Sequence, residues 1–207
     1  MDSRQVAAVI TAVGAKIEAE KDFLTELDNV IGDGDHGINM ARGFQKVEEK
    51  LPTVAGKDIG TVLKTVGMTL VSTVGGASGP LYGTAFMKAG MEVAGKDSMD
   101  LKDFLKCIDA AIGGVKLRGK GDKGEKTMLD AMIPAYDAMA AAMEGGAPAK
   151  DVLAAGVAAA KEGVEYTKTI IATKGRASYV GERSIGHQDP GATSFTDILE
   201  VIYEQIT

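Results

Sequence analysis

The stretch IGTVLKTVGMTLVSTVGGASGP, residues 59–80, decides the class of fold. Ile59, Val62, Leu63, Val66, Leu70, Val71 and Val74 recur at intervals of three and four, the period of an α-helix with one buried side. Glycines then end the stripe, and Pro80 is tolerated in the first turn of a following helix. Working outward, the same period returns. Val6, Val9, Ile10, Val13 and Ile17 form one stripe, and Leu101, Phe104, Leu105, Ile108, Ile112 and Val115 another. Leu129 to Met143, Val152 to Val164 and Phe195 to Ile206 complete the long ones. Shorter candidates at 37–50 and 80–94 bring the total to about eight amphipathic helices. Strict polar–apolar alternation, the mark of a strand, is hard to find. The sequence therefore predicts an all-α, single-domain antiparallel bundle over residues 1–207, with short glycine-bearing connections between up-and-down neighbours.

Bulk composition narrows the function. The 207 residues are 45% hydrophobic and 25% charged, a globular balance. A net charge of -6 argues against a nucleic-acid surface. One cysteine, Cys107, excludes an internal disulfide and points to the cytoplasm. No secretory signal and no membrane-length apolar run are read, so no membrane partner is expected. Ten methionines and no tryptophan are read as core filler. A homodimer is left open.

The informative segments are four breaks between helices: 28–39, 75–83, 118–127 and 174–194. In an alternating bundle, all are odd-numbered connections and are expected on one face. VIGDGDHGINM (30–40), with Asp28 just upstream, gathers three carboxylates at Asp28, Asp33 and Asp35. Glycines between them permit left-handed turns that aim the acids at one centre. Three hard oxygen ligands without cysteine suit Mg²⁺, Mn²⁺ or Ca²⁺ rather than zinc. An EF-hand fails on register, because neither Asp28 nor Asp33 as first ligand puts Gly and Glu in their required places. His36 opens the next helix, where its ring and the amides of Gly37, Ile38 and Asn39 would face an anion. Carboxylates repel phosphate, and divalent metal resolves the contradiction: two Mg²⁺ against three carboxylates leave +1.

The other breaks are read more plainly. GGASGP (75–80) offers small side chains and amides to a phosphate or sugar, and a simple glycine-capped turn explains it equally well. GKGDKGEKT (119–127) misses the P-loop pattern by one residue, Glu125, and lacks a preceding strand. Its Lys120 and Lys123 are read as solvated, with a flexible basic loop over a ligand as the alternative. In the last break Arg176 can clamp a phosphate, and Asp189-Pro190-Gly191 makes a tight turn opening the final helix. Ser184, His187 and Asp189 are not read as a hydrolase triad, because the nucleophile elbow is missing.

LDNVIGDGDHGINMARGF, VGGASGPLYGT, RGKGDKGEKTM and KGRASYVGERSIGHQDPGATS together resemble, in order and spacing, the nucleotide-binding (DhaL-type) subunits of bacterial dihydroxyacetone kinase. The likeness runs from about residue 20 onward and follows the stand-alone, phosphotransferase-system-dependent form. The resemblance implies a barrel of eight antiparallel helices with ADP held at one end through two Mg²⁺. By motif, Asp28, Asp33 and Asp35 would be the metal ligands, and His36, Gly37, Ile38 and Asn39 the phosphate-side contacts. Ala77 and Ser78 would line the nucleotide, Gly119 and Met128 would lie near the base, and Arg176 with Asp189, Pro190 and Gly191 would close the site. ADP would accept a phosphoryl group from a phosphotransferase-system donor subunit, becoming ATP. It would then pass the group to dihydroxyacetone on a separate substrate-binding subunit. Catalytic residues are expected on that partner, and none is assigned here. A regulatory nucleotide-binding module, or a kinase component with freely exchangeable ATP, is the alternative. The sequence departs from the family at Gly34, where alanine also occurs, and in 119–125, which lacks an Ala-Glu-Pro segment.

Overall fold

α4 (Ile59–Thr73) forms where the cleanest stripe predicts it, with Asp58 as its N-cap accepting the Thr61 amide at 3.1 Å. The computed structural model describes residues 1–206, and among them every regular element is helical. The remaining α-helices are α1 (Ser3–Ala19), α2 (Lys21–Ile31), α3 (His36–Lys50), α5 (Ser78–Glu92), α6 (Leu101–Gly119), α7 (Leu129–Glu144), α8 (Ala149–Thr167) and α9 (Pro190–Ile206). Two 3₁₀ segments, Leu51–Val54 and Arg176–Ser184, lie in connections. The described residues thus contain nine α-helices, one more than the stripes predict. The extra one is α2, whose 11 residues bury only Leu24, Asp28 and Ile31, too few to show as a stripe.

Contacts divide the chain into two compact units. The first comprises Met1–Glu18 and Asn39–Lys120; the second comprises Ala19–Ile38 and the chain from Gly121 onward.

In the first unit, Val62, Val66 and Leu70 of α4 are all but fully buried. Glycine governs how α4 meets α5. A Cβ on Gly67 would lie 2.5 Å from the Gly83 carbonyl oxygen, and one on Gly83 would lie 2.7 Å from that of Gly67. Gly60 and Gly90 make a second reciprocal pair, at 2.6 and 2.9 Å. The two backbones therefore touch, which only residues without a side chain allow. α6 starts with a capping box between Asp100 and Asp103, and Phe44 and Phe86 meet edge to face with centroids 6.4 Å apart.

In the second unit, α7 and α8 approach closely at Gly163, where a Cβ would lie 2.2 Å from the Asp130 carbonyl oxygen. α9 buries every residue from Ala192 to Leu199. A helix apolar or small on all sides is one enclosed by its neighbours.

Candidate metal and phosphate site

Asp28 is the organising residue of the second unit's site. It lies in the last turn of α2, rather than in a loop, and is buried. Its Oδ2 accepts the backbone amides of Asp35 and His36, at 2.9 and 3.1 Å, and so caps the start of α3 from outside that helix. The turn between the helices is only four residues long, and glycine is required both within it, at Gly32, and just after it, at Gly37. A Cβ on Gly32 would lie 2.0 Å from Asp28 Oδ1, and one on Gly37 would lie 2.0 Å from the Lys21 carbonyl oxygen. Gly34 takes φ +73°, the left-handed region.

This tight turn converges the acids. One carboxylate oxygen from each of Asp28, Asp33 and Asp35 lies within 4.8 Å of the others. Hard oxygens at that spacing fit a divalent cation such as Mg²⁺. Arg176, in the 3₁₀ segment, places Nη2 3.0 Å from Asp33 Oδ2. With its side chain 67% exposed, this ion pair contributes little to stability and leaves the guanidinium available to an anion.

His36 is buried beside the cluster, with Nε2 2.9 Å from Ser194 Oγ on α9. Burial pulls its pKa down to about 4, against the opposing charge of Asp35, so the ring is neutral near pH 7. Asp189 caps α9 by accepting the Ala192 amide at 2.7 Å, ahead of Pro190 and Gly191 as the turn predicts. Burial raises the Asp189 carboxyl to about 7. The carboxylates of Asp130 and Asp28 add to the rise, while the Ala192 amide and Lys126 oppose it. Met128 is buried at the N-cap of α7, and a Cβ on Gly191 would lie 3.5 Å from its Cβ. Ile38 is half exposed.

The first unit holds the remaining expected residues. Asn39 is buried, and its Oδ1 accepts from Arg42 Nη2 at 2.6 Å, while Arg42 Nε donates to the Thr73 carbonyl. Gly75 lies against Asn39, since a Cβ there would be 3.0 Å from Nδ2. Asn39 is thereby brought beside the turn that carries Ala77 and Ser78, the N-cap and first residue of α5. Gly119 ends α6 and is exposed.

A model of the DAK2 domain matches residues 30–204. The chain belongs to the DAK2-domain family. This DAK2 chain is 45% identical over 198 residues to an Escherichia coli protein named as the ADP-binding subunit DhaL of the PEP-dependent dihydroxyacetone kinase. The match covers 96% of the chain and 94% of that relative. It is 43% identical over 208 residues to an ADP-binding subunit DhaL of Listeria innocua, covering 100% of the chain and 96% of the relative. Among solved structures, the dihydroxyacetone kinase of C. freundii shares its fold with a TM-score of 0.76 and 25% identity. That match covers 99% of the DAK2 chain and 35% of the longer one.

Several residues of the DAK2 chain that shape the site are assigned no role from the sequence, although Lys126 and Ser194 lie inside the quoted motifs. Ser194, Asp130 and Lys126 are each buried polar groups. Asp130 accepts the amides of Gly124 and Thr127, and Glu125 Oε2 accepts that of Asp122. The 121–127 connection is thus tied to Asp130 at the start of α7 and within itself through Glu125, and Lys120 and Lys123 are exposed as expected. Ser184 is structural: its Oγ donates to the Gly181 carbonyl and accepts the Ala172 amide. No described helix is long and apolar enough to cross a membrane.

Proposed function

We infer that this chain is the ADP-binding subunit of a phosphoenolpyruvate-dependent dihydroxyacetone kinase, a phosphotransferase component. The observation that carries the reading is the carboxylate cluster of Asp28, Asp33 and Asp35 at the start of α3, with Arg176 beside it. Acids beside a helix N-terminus and an arginine make sense together when a divalent cation joins them to phosphate. When bound, magnesium-held nucleotide supplies the phosphoryl carrier, ADP loaded as ATP by a phosphotransferase-system donor subunit and discharged onto dihydroxyacetone on a separate substrate-binding subunit.

The chain's own part is binding and orientation. The three aspartates would hold two Mg²⁺, and the residual charge of +1 favours phosphate oxygens. Asp28 already satisfies the amides of Asp35 and His36. The amides offered to an anion are then those of Gly37 and Ile38. Arg176 neutralises terminal phosphate charge as a planar, multi-donor group. Asn39, Ala77, Ser78, Gly119, Met128, Asp189, Pro190 and Gly191 are assigned to the nucleotide by motif. No general base is assigned, because phosphoryl transfer asks chiefly for position and charge neutralisation. The reading takes residues 1–207 as one functional domain, in keeping with an unbroken family match over 30–204. It places the subunit in the cytoplasm with its two partners.

Denaturing the purified protein and separating the released small molecule by chromatography tests the reading. Stoichiometric ADP that survives gel filtration is expected. An empty site that exchanges ATP freely overturns it.

A further inference from the structure

Lys126 is the least expected residue of the second unit. It is 1% exposed, although lysine is rarely fully buried, and its backbone takes φ +61°, unusual for a residue with a side chain. The three N–H groups of its ammonium serve four carbonyl oxygens, those of Thr167, Ser184 and His187 at 2.5 to 2.7 Å and that of Ile170, sharing a proton, at 3.3 Å. These carbonyls come from the end of α8, the link after it, the end of the 3₁₀ segment and the approach to α9. Four carbonyl dipoles with their negative ends turned on one point repel each other unless a cation sits there. Burial pulls the ammonium's pKa down, and the Asp189 and Asp130 carboxylates draw it back up.

The geometry bears on the site because of what lies between the four carbonyls. Arg176 falls between Ile170 and Ser184, and Asp189 follows His187 by two residues. Further ties close the same stretch. The Asp189 amide donates to Thr167 Oγ1 at 3.0 Å, and the Gly186 amide donates to the Lys168 carbonyl at 2.7 Å.

We propose that Lys126 is a positioning residue whose ammonium takes the place of a monovalent cation in a shell of main-chain carbonyls. It thereby fixes the stretch 168–189 that presents Arg176 and Asp189. Its bearing on ADP rests on the nucleotide reading of those two residues given above.

The test uses the full chain with Lys126→Met, Lys126→Arg and Lys126→Ala. Amide hydrogen exchange over 168–187 and trypsin cleavage after Lys174, Arg176 and Arg183 report the stretch itself. Dissociation of retained ADP reports the site. In Lys126→Met, exchange and cleavage there rise about tenfold or more, as expected when hydrogen bonds to a charged group are lost, while α7, α8 and α9 change little. ADP leaves faster in parallel. Lys126→Arg, which keeps the charge, falls between. In Lys126→Ala, ammonium chloride restores protection and tetramethylammonium chloride at equal ionic strength does not, because only the small cation fits the shell.

Unchanged exchange in Lys126→Met overturns the proposal. So does loosening that spreads equally through α7, α8 and α9 in every variant, or unfolding of all three variants, since the lysine would then hold the whole unit. Indifference of Lys126→Ala to ammonium overturns it as well. If the stretch loosens as expected while ADP stays as tightly held as in wild type, the nucleotide roles of Arg176 and Asp189 fail instead.

Discussion

Replacing Gly32 by alanine tests how the 32–35 turn holds the Asp28 carboxylate in place. An alanine Cβ at this position would lie 2.0 Å from Asp28 Oδ1 and 2.9 Å from its Cγ, far inside contact distance. Either the carboxylate rotates away or the turn opens, and both movements break the bonds from Asp28 Oδ2 to the amides of Asp35 and His36. Hydrogen bonds to a charged acceptor are each worth about 1.5–3 kcal/mol net. Allowing for partial recovery through water, Gly32→Ala costs about 3 kcal/mol overall. At about 2–4 °C per kcal/mol for a chain of this size, the melting temperature falls by about 6–12 °C. The same displacement removes one ligand from the cluster, so ADP retained after gel filtration falls with it. Gly113→Ala serves as the control. It lies within α6 with nothing within 4 Å of its added Cβ, and it gains up to about 1 kcal/mol of helix propensity. Differential scanning fluorimetry and nucleotide release by chromatography read both variants. A Gly32→Ala protein that melts at the wild-type temperature and keeps stoichiometric ADP refutes the reasoning.

Asp35→Ala is expected to lose metal and nucleotide together, measured as Mg²⁺-dependent ADP occupancy; wild-type occupancy in that variant would sink the ligand assignment. His36 gives a pH dependence with a definite sign. Its folded pKa of about 4 lies below the ordinary 6.5, so the unfolded chain takes up the proton first as pH falls. In metal- and nucleotide-free protein its contribution is complete above pH 6.5 and is lost progressively toward pH 4, reaching about 3 kcal/mol. The buried Asp189 carboxyl, raised to about 7, works with the opposite sign over the same range, so the His36 contribution is read as the difference in urea midpoint between wild type and His36→Gln. That difference should change between pH 6.5 and 4, and a difference that stays constant would exclude His36 as the source. Cys107 is buried, with its thiol pushed up to about 12 by burial and by the nearby Glu92 and Asp103 carboxylates. A disulfide-exchange reagent at pH 8 should leave it untouched in native protein and titrate it fully in urea; rapid native reaction would contradict its placement.

Much of the candidate site is legible before folding because its chemistry is local. Asp33, Gly34, Asp35 and His36 are consecutive, so their convergence needs only a short turn. Asp189, Pro190 and Gly191 announce a helix start from the same kind of neighbour effect. Asp28 shows where local reading stops. Its place in the cluster is evident from spacing, but its second task, capping α3, depends on α2 being helical, and α2 buries too little apolar surface to be read as a helix.

The periodicity of apolar residues by itself determined the all-α class, because a one-sided helix writes its burial into every third or fourth position. The acid-rich turn likewise gave the expectation of a hard cation beside an anion, because its carboxylates and helix-start amides are neighbours in the chain. What only the tertiary structure decided are the partnerships between residues far apart in the chain. Ser194 meets His36 across 158 positions, and Lys126 gathers carbonyls 41 to 61 positions away. Reciprocal glycines set the approach of α4 to α5. Even inside a recognisable motif, a serine, lysine or glycine does not name its distant partner. Its role is fixed by desolvation and contact distance, which exist only once the chain has folded.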